Sequence, residues 1–285
     1  LHSDVRAGAH RDADIRARER RRIIDAIACH ADDTSMLLHR RDEAVLLLRR
    51  HSSVKAADAE RLRRVGAQRV TVVGNLKFDV APAAALVAQG RAWRTQIGAR
   101  PIWLAASTRD GEEALILDAL ATLAGRNVLL VLVPRHPQRF DAVADLTASR
   151  GWRWERRTAG LPAPDTEVWI GDSMGEMVAY YSLADCCFIG GSLLPLGGQN
   201  LIEAAACGCP VLIGPHTFNF KQAAEDAIAA GAACRIASVA ELGAEVASLV
   251  ADAPRRAAMV AAAHRFSAAH SGAARRTLDF IARWQ

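Results

Sequence analysis

Five stretches of this sequence combine charged or hydroxyl side chains with glycine or proline in patterns suited to holding an anion. The first is Ser107-Thr108-Arg109-Asp110-Gly111-Glu112-Glu113. Ser107, Thr108 and the free amides at a helix start can hold an oxyanion. Asp110 and Glu113 also have capping-box spacing, which accounts for much of the motif without a ligand. In Pro134-Arg135-His136-Pro137, two prolines stiffen a turn and aim Arg135 outward, where a guanidinium can grip a phosphate or serve only as a surface cap. Gly171-Asp172-Ser173-Met174-Gly175-Glu176 holds a second capping box, Ser173 to Glu176. The box leaves Gly175 unexplained, since glycine costs a helix about 1 kcal/mol relative to alanine while letting a ligand approach the backbone closely.

The fourth stretch is the richest. Gly190-Gly191-Ser192 is followed by Gly197-Gly198-Gln199-Asn200-Leu201-Ile202-Glu203. Such a loop can wrap a nucleotide, with amides facing phosphate and Glu203 facing ribose hydroxyls. The competing reading is a flexible loop with a third capping box, Asn200 to Glu203. The fifth, Gly214-Pro215-His216-Thr217-Phe218-Asn219-Phe220-Lys221, offers His216 as a contact. There is no Walker A sequence, G-x-S-x-G elbow or H-E-x-x-H. The cysteines at 29, 186, 187, 207, 209 and 234 form no C-x-x-C pair and no zinc spacing. We therefore expect no metal and no cofactor, and buried free thiols in a reducing cytoplasm.

What positions these stretches is a regular alternation. Strands are expected at 69–73, 102–106, 128–133, 152–155, 167–170, 186–189, 211–213 and 233–236. Helices are expected at 56–65, 82–97, 111–123, 137–149, 174–183, 201–207 and 220–230, with a largely helical end. The strands are short, continuous apolar runs, as in strands buried on both faces. Alternation with helices implies parallel βαβ units: an α/β fold with a Rossmann-like parallel sheet. Ligands of such sheets bind beyond the carboxyl ends of the strands, where all five stretches fall. Three strand–loop–helix units of this kind in one sheet favour a nucleotide.

The 285 residues are 51% hydrophobic and 24% charged, with mean hydropathy +0.05. That composition excludes a wholly disordered chain or one embedded in a membrane. A net charge of +5 with 5% aromatic residues reads as a mildly basic enzyme rather than a nucleic-acid binder. Residues 1–53 differ from the rest. Eleven of the first fifty are Arg, with a charged helix conceivable at 16–27 and an apolar patch at 44–48. We expect this segment to be atypical and poorly ordered, and residues 54–285 to form one nucleotide-sugar domain. No apolar leader precedes it, and the first residue is Leu.

Gly74-Asn75-Leu76-Lys77-Phe78-Asp79 precedes the five stretches, and Phe188-Ile189 leads into the fourth. Together, in this order, these motifs closely resemble the 3-deoxy-D-manno-octulosonic acid (Kdo) transferases of lipopolysaccharide synthesis, over about residues 54–284. The resemblance implies the donor-binding half of a GT-B glycosyltransferase. Such an enzyme moves Kdo from CMP-Kdo to the lipid A precursor with inversion and without metal, at the cytoplasmic face of the inner membrane. It implies CMP-Kdo contacts at Pro134 and Arg135, at Met174, Gly175 and Glu176, and at Asn200, Leu201, Ile202 and Glu203. Further contacts are conceivable at Ser107, Thr108, Gly191, Ser192 and His216. Gln199 and Leu201 stand where the family usually has His and Pro. The family's general-base Glu and its acceptor domain have no counterpart in residues 1–52, so a truncated or frame-shifted product is expected. The alternative is a remnant that binds CMP or CMP-Kdo without turnover. Another GT-B enzyme or a nucleotide-sugar epimerase fits the motifs less well.

Overall fold

The structure, a computed structural model, describes residues 51–53, 56–64, 66–79 and 81–283. The helix expected at 16–27 and the patch at 44–48 lie outside these residues. The chain divides into two compact units, one ending at Val72 and the other starting at Val73, rather than at the 53/54 boundary expected from composition.

In the first unit, strand β1 (His51–Ser53) pairs in parallel with β2 (Val70–Val72), and helix α1 (Ala56–Arg64) connects them. His51–Ser53 lies within the segment whose sequence predicts no regular structure. Its strand is short, and the sequence before it carries no alternation that would have announced it.

The second unit carries the site. Its elements, in chain order, are α2 (Ala84–Ile97), β3 (Ile102–Thr108), α3 (Glu112–Ala121), β4 (Leu129–Pro134), α4 (Phe140–Ser149), β5 (Trp154–Arg156) and β6 (Val168–Ile170). After these come α5 (Met177–Leu183), β7 (Cys186–Ile189), α6 (Ile202–Ala206), β8 (Val211–Ile213), α7 (Lys221–Ala229) and β9 (Ala233–Arg235). Three helices end it: α8 (Val239–Ala251), α9 (Ala253–His270) and α10 (Ala273–Ala282). The seven strands form one sheet in the order β5-β6-β4-β3-β7-β8-β9, and every neighbouring pair is parallel.

Why the strands read as continuous apolar runs is plain in the packing. Along β3, Ile102, Leu104 and Ala106 join one core with Trp93, Trp169, Tyr180 and Phe266. Trp103 and Ala105 join a second core on the opposite face, with Leu117, Val143, Leu242 and Val246. Both faces are covered by helices, so both sets of alternate residues from Ile102 to Ala106 are apolar. Each large side chain fully buried this way contributes about 1.5–3 kcal/mol.

The strand order sets the position of the site. From β3 the chain moves to one side through β4, β5 and β6, then returns to the other side of β3 with β7. The chain therefore leaves β3 and β7 in opposite directions at the carboxyl edge of the sheet, the switch point whose crevice takes ligands in folds of this kind.

Two ends of the unit are tied together. The Asp79 carboxylate accepts the backbone N–H groups of Gly272, Ala273 and Ala274. It thereby caps α10 from a part of the chain nearly two hundred residues away. This gives Asp79 of the Gly74–Asp79 motif an architectural role. The capping N–H groups hold the Asp79 pKa below the usual carboxylate range, against the effect of burial.

Candidate functional site: the crevice at the carboxyl edge

The crevice is built around one carboxylate. Glu112, fully buried at the start of α3, accepts the N–H of Arg109 at 3.1 Å, of Gly191, and of Leu193 at 3.0 Å. It thus staples the loop after β3 to the loop after β7 across the divergence point. Beside it, Ser107 takes a left-handed conformation, φ 56°, where the β3–β4 register shifts. Gly190 lies so close that a Cβ there would run into the Ser107 carbonyl, which requires glycine at this position.

Several residues selected from sequence are occupied by this framework. The buried Thr108 hydroxyl donates to Glu113 at 3.0 Å. The Gly191 N–H belongs to Glu112. The buried Ser192 hydroxyl donates to the Ile189 carbonyl and accepts the Gly214 N–H at 2.9 Å, and the Ser192 carbonyl accepts the His216 N–H at 3.0 Å. Ser192 thus ties the β7 and β8 loops together. The expected capping box from Asp110 to Glu113 does not form. Gly111 is the N-cap, Asp110 pairs with Arg139, and Glu113 accepts from Thr108 and Arg139. Burial pushes the Glu113 pKa up, against the pull of its own backbone N–H and of Arg139.

The Ser173–Glu176 box is also absent. Helix α5 begins at Met177, without a side-chain cap, so Gly175 lies outside it and imposes no helix cost. Gly175 instead has φ 82° and open space on its Cβ side. The Glu176 carboxylate is held by Gln89 at 2.7 Å, Arg157 at 3.0 Å and Ser173, and Arg157 lies 4.6 Å over the Trp93 ring. What Met174, Gly175 and Glu176 present outward is therefore backbone, whose N–H groups have no partner among the described residues, together with the exposed Met174 side chain.

At the third predicted box, Asn200 Oδ1 accepts the Ile202 N–H at 3.0 Å, and Leu201 rather than Asn200 is the N-cap of α6. Leu201 and Ile202 point into the core, each 1% exposed. Glu203 does not turn back to cap. It is half-buried and, among the described residues, has no partner for its carboxylate, and burial raises its pKa above the usual range. A desolvated, unpaired carboxylate is costly unless something binds it.

Arg135 is exposed. Its N–H donates to the Thr108 carbonyl at 2.9 Å, and its guanidinium has no partner among the described residues. The Ser107 hydroxyl and the His216 ring, both half-buried, are likewise unengaged. The structure thus leaves Arg135, Asn200, Glu203, Ser107, His216 and the backbone of 174–176 available at one edge of the sheet. Sequence reading missed Glu112, Gln89, Arg139 and Arg157, which hold that edge together. The adjacent acids at 112 and 113 were their one visible signal. Among the described residues, no three His, Cys, Asp or Glu side chains are grouped to hold a metal. No helix there is long and apolar enough to cross a membrane.

The seven-stranded parallel sheet with helices on both faces has the fold of a GT-B glycosyltransferase domain. A glycosyltransferase from Rickettsia africae, 14% identical, superposes over 88% of this chain with a TM-score of 0.58, a likeness of fold alone. The chain belongs to the Kdo transferase family. It is 48% identical over 234 residues to the 3-deoxy-D-manno-octulosonic acid transferase of Bordetella pertussis, covering 80% of this chain and 54% of that protein. It also matches the C-terminal CMP-Kdo binding domain of WaaA from Acinetobacter baumannii, with 32% identity and a TM-score of 0.62, over 65% of this chain and 98% of that domain. The chain spans about half the length of the Bordetella relative. No family model matches it.

Proposed function

We propose that the crevice binds CMP-Kdo, and that the chain is the donor half of an enzyme transferring Kdo to the lipid A precursor at the cytoplasmic face of the inner membrane. Glu203 carries the reading. A half-buried carboxylate without a partner, at the carboxyl edge of a parallel sheet, suits the paired hydroxyls of a ribose. Arg135 supplies a guanidinium for the phosphate. Asn200 keeps its Nδ2 donors free after spending Oδ1 on Ile202, and the backbone N–H groups of 174–176 offer further contacts. The binding named for the Acinetobacter domain agrees with this assignment. On this reading the contacts at Leu201 and Ile202 reduce to the Leu201 N–H, because both side chains are in the core.

Titration calorimetry with CMP tests the assignment. The unaltered chain should bind, and Glu203→Ala should weaken binding by about 1–3 kcal/mol through loss of charge-assisted hydrogen bonds. Unchanged affinity in a folded Glu203→Ala variant removes Glu203 from the site.

A further inference from the structure

Arg109 is the one arginine among the described residues that is partly buried yet has neither an ion pair nor a hydrogen bond from its guanidinium. The other partly buried arginines of the second unit, Arg94, Arg100, Arg139, Arg156, Arg157, Arg235, Arg255 and Arg256, all donate to carboxylates or carbonyls. The acids nearest Arg109 in sequence are already engaged. Asp110 is paired with Arg139, Glu113 with Arg139 and Thr108, and Glu112 with three backbone N–H groups.

The position of Arg109 is fixed from both sides. Its own N–H is held by Glu112 at 3.1 Å. A Cβ built on Gly191 would lie 3.5 Å from Arg109 Cγ and 3.3 Å from Gln199 Nε2, so the side chain lies along the Gly191 turn. Thr108 and Pro134 are paired across β3 and β4, so Arg109 and Arg135 leave the ends of adjacent strands, about 4.8 Å apart in backbone spacing. Arg135 thus starts from the β4 end while the Arg109 side chain runs toward the Gly191 turn on the β7 side, so the sheet edge carries two guanidinium groups, neither of them paired among the described residues.

We infer that Arg109 binds the carboxylate of the transferred sugar, while Arg135 binds the phosphodiester. This inference rests on the CMP-Kdo reading. That donor carries two separate single negative charges, one on the phosphodiester and one on the carboxylate of its keto-acid sugar. The crevice offers two unneutralised arginines on neighbouring strand ends. A planar guanidinium also matches a carboxylate in a two-point hydrogen-bonded fork, which selects a sugar acid over a neutral sugar carried on the same nucleotide.

The test compares two ligands, CMP and CMP-Kdo, by calorimetry on the full chain. Arg109→Ala should weaken CMP-Kdo binding about tenfold or more and leave CMP binding unchanged. Arg109→Lys should restore part of the loss, and Arg135→Ala should weaken both ligands. Arg126→Ala, an exposed arginine remote from the crevice in the loop before β4, should change neither. Equal weakening of CMP and CMP-Kdo by Arg109→Ala would make Arg109 a phosphate ligand and overturn the inference, as would no change in either. Failure of the unaltered chain to bind CMP overturns the nucleotide reading itself. CMP binding that survives while CMP-Kdo gains nothing from Arg109 overturns this inference alone.

Discussion

Glu203 combines a binding role with a cost to the fold. Its pKa is raised by burial, so the folded chain binds its proton more tightly than the unfolded chain, where the value is about 4.3. Ionisation therefore works against folding. Below the unfolded value the side chain is protonated in both states and the penalty vanishes. As pH rises from there through the raised folded value the penalty grows, and above that it is constant. Glu203→Gln removes the charge and keeps the shape. We expect this variant to melt at a higher temperature than the unaltered chain near pH 8, with the gap closing as pH falls toward 4. Thermal melts of both chains across that range check it. A gap independent of pH would assign the effect to packing instead of charge.

The glycine-rich loops of the elements that form the edge are held by buried side chains as well as by their own backbones. Glu112 is the strongest case, because one carboxylate satisfies N–H groups from two loops on either side of the divergence point. A buried donor left without a partner costs about 1–3 kcal/mol, so Glu112→Ala should lower stability by about 3 kcal/mol or more. It should also weaken CMP binding without touching the ligand. Urea unfolding gives the first and calorimetry the second. Loss of stability without any loss of affinity would show that the staple does not shape the site.

This element scale is also where sequence and structure part. The parallel sheet was legible because both of its faces are covered, which makes its central strands continuous apolar runs, with polar residues confined to strand ends and to the edge strands β5 and β9. The loops at the strand ends were legible because glycine and proline collect there. The capping boxes were misread at 110–113, 173–176 and 200–203. Spacing alone shows that an acid can reach back to a helix start; it cannot show that a tertiary partner such as Arg139 for Glu113 or Arg157 for Glu176 offers it more, or that Glu203 takes no partner among the described residues. Glu203 stood out in the sequence because its neighbours pointed to a nucleotide. Glu112 was missed because its partners lie about eighty residues away.

At the scale of the molecule, binding and turnover should separate. The proposed donor contacts all lie between Ser107 and His216, within the second unit. The chain spans about half the length of the Bordetella relative. An attacking hydroxyl needs a base, typically contributing about 10²–10⁴-fold, and a positioned acceptor contributes up to roughly 7–11 kcal/mol of the barrier. We therefore expect the purified 285-residue chain to bind CMP-Kdo yet to glycosylate lipid A precursor far more slowly than a full-length relative such as the Bordetella enzyme. Mass spectrometry of the lipid after incubation measures this. Transfer at matching rates would place a base within this chain.

The Asp79 clasp makes the second unit nearly a closed ring of chain. Its first turn holds its last helix, so the two ends do not fray independently. A force applied to either end of the unit, as by an unfolding motor that threads a terminus, therefore meets contacts made by the other end, the Asp79 hydrogen bonds and the Arg276–Val73 bond among them. The depressed pKa of Asp79 keeps that latch charged, and so shut, through ordinary acidity. Protonating Asp79 at low pH weakens only this part of the closure, because Arg276 Nε still donates to the Val73 carbonyl at 3.0 Å and Phe78 still packs on Phe266 and His270.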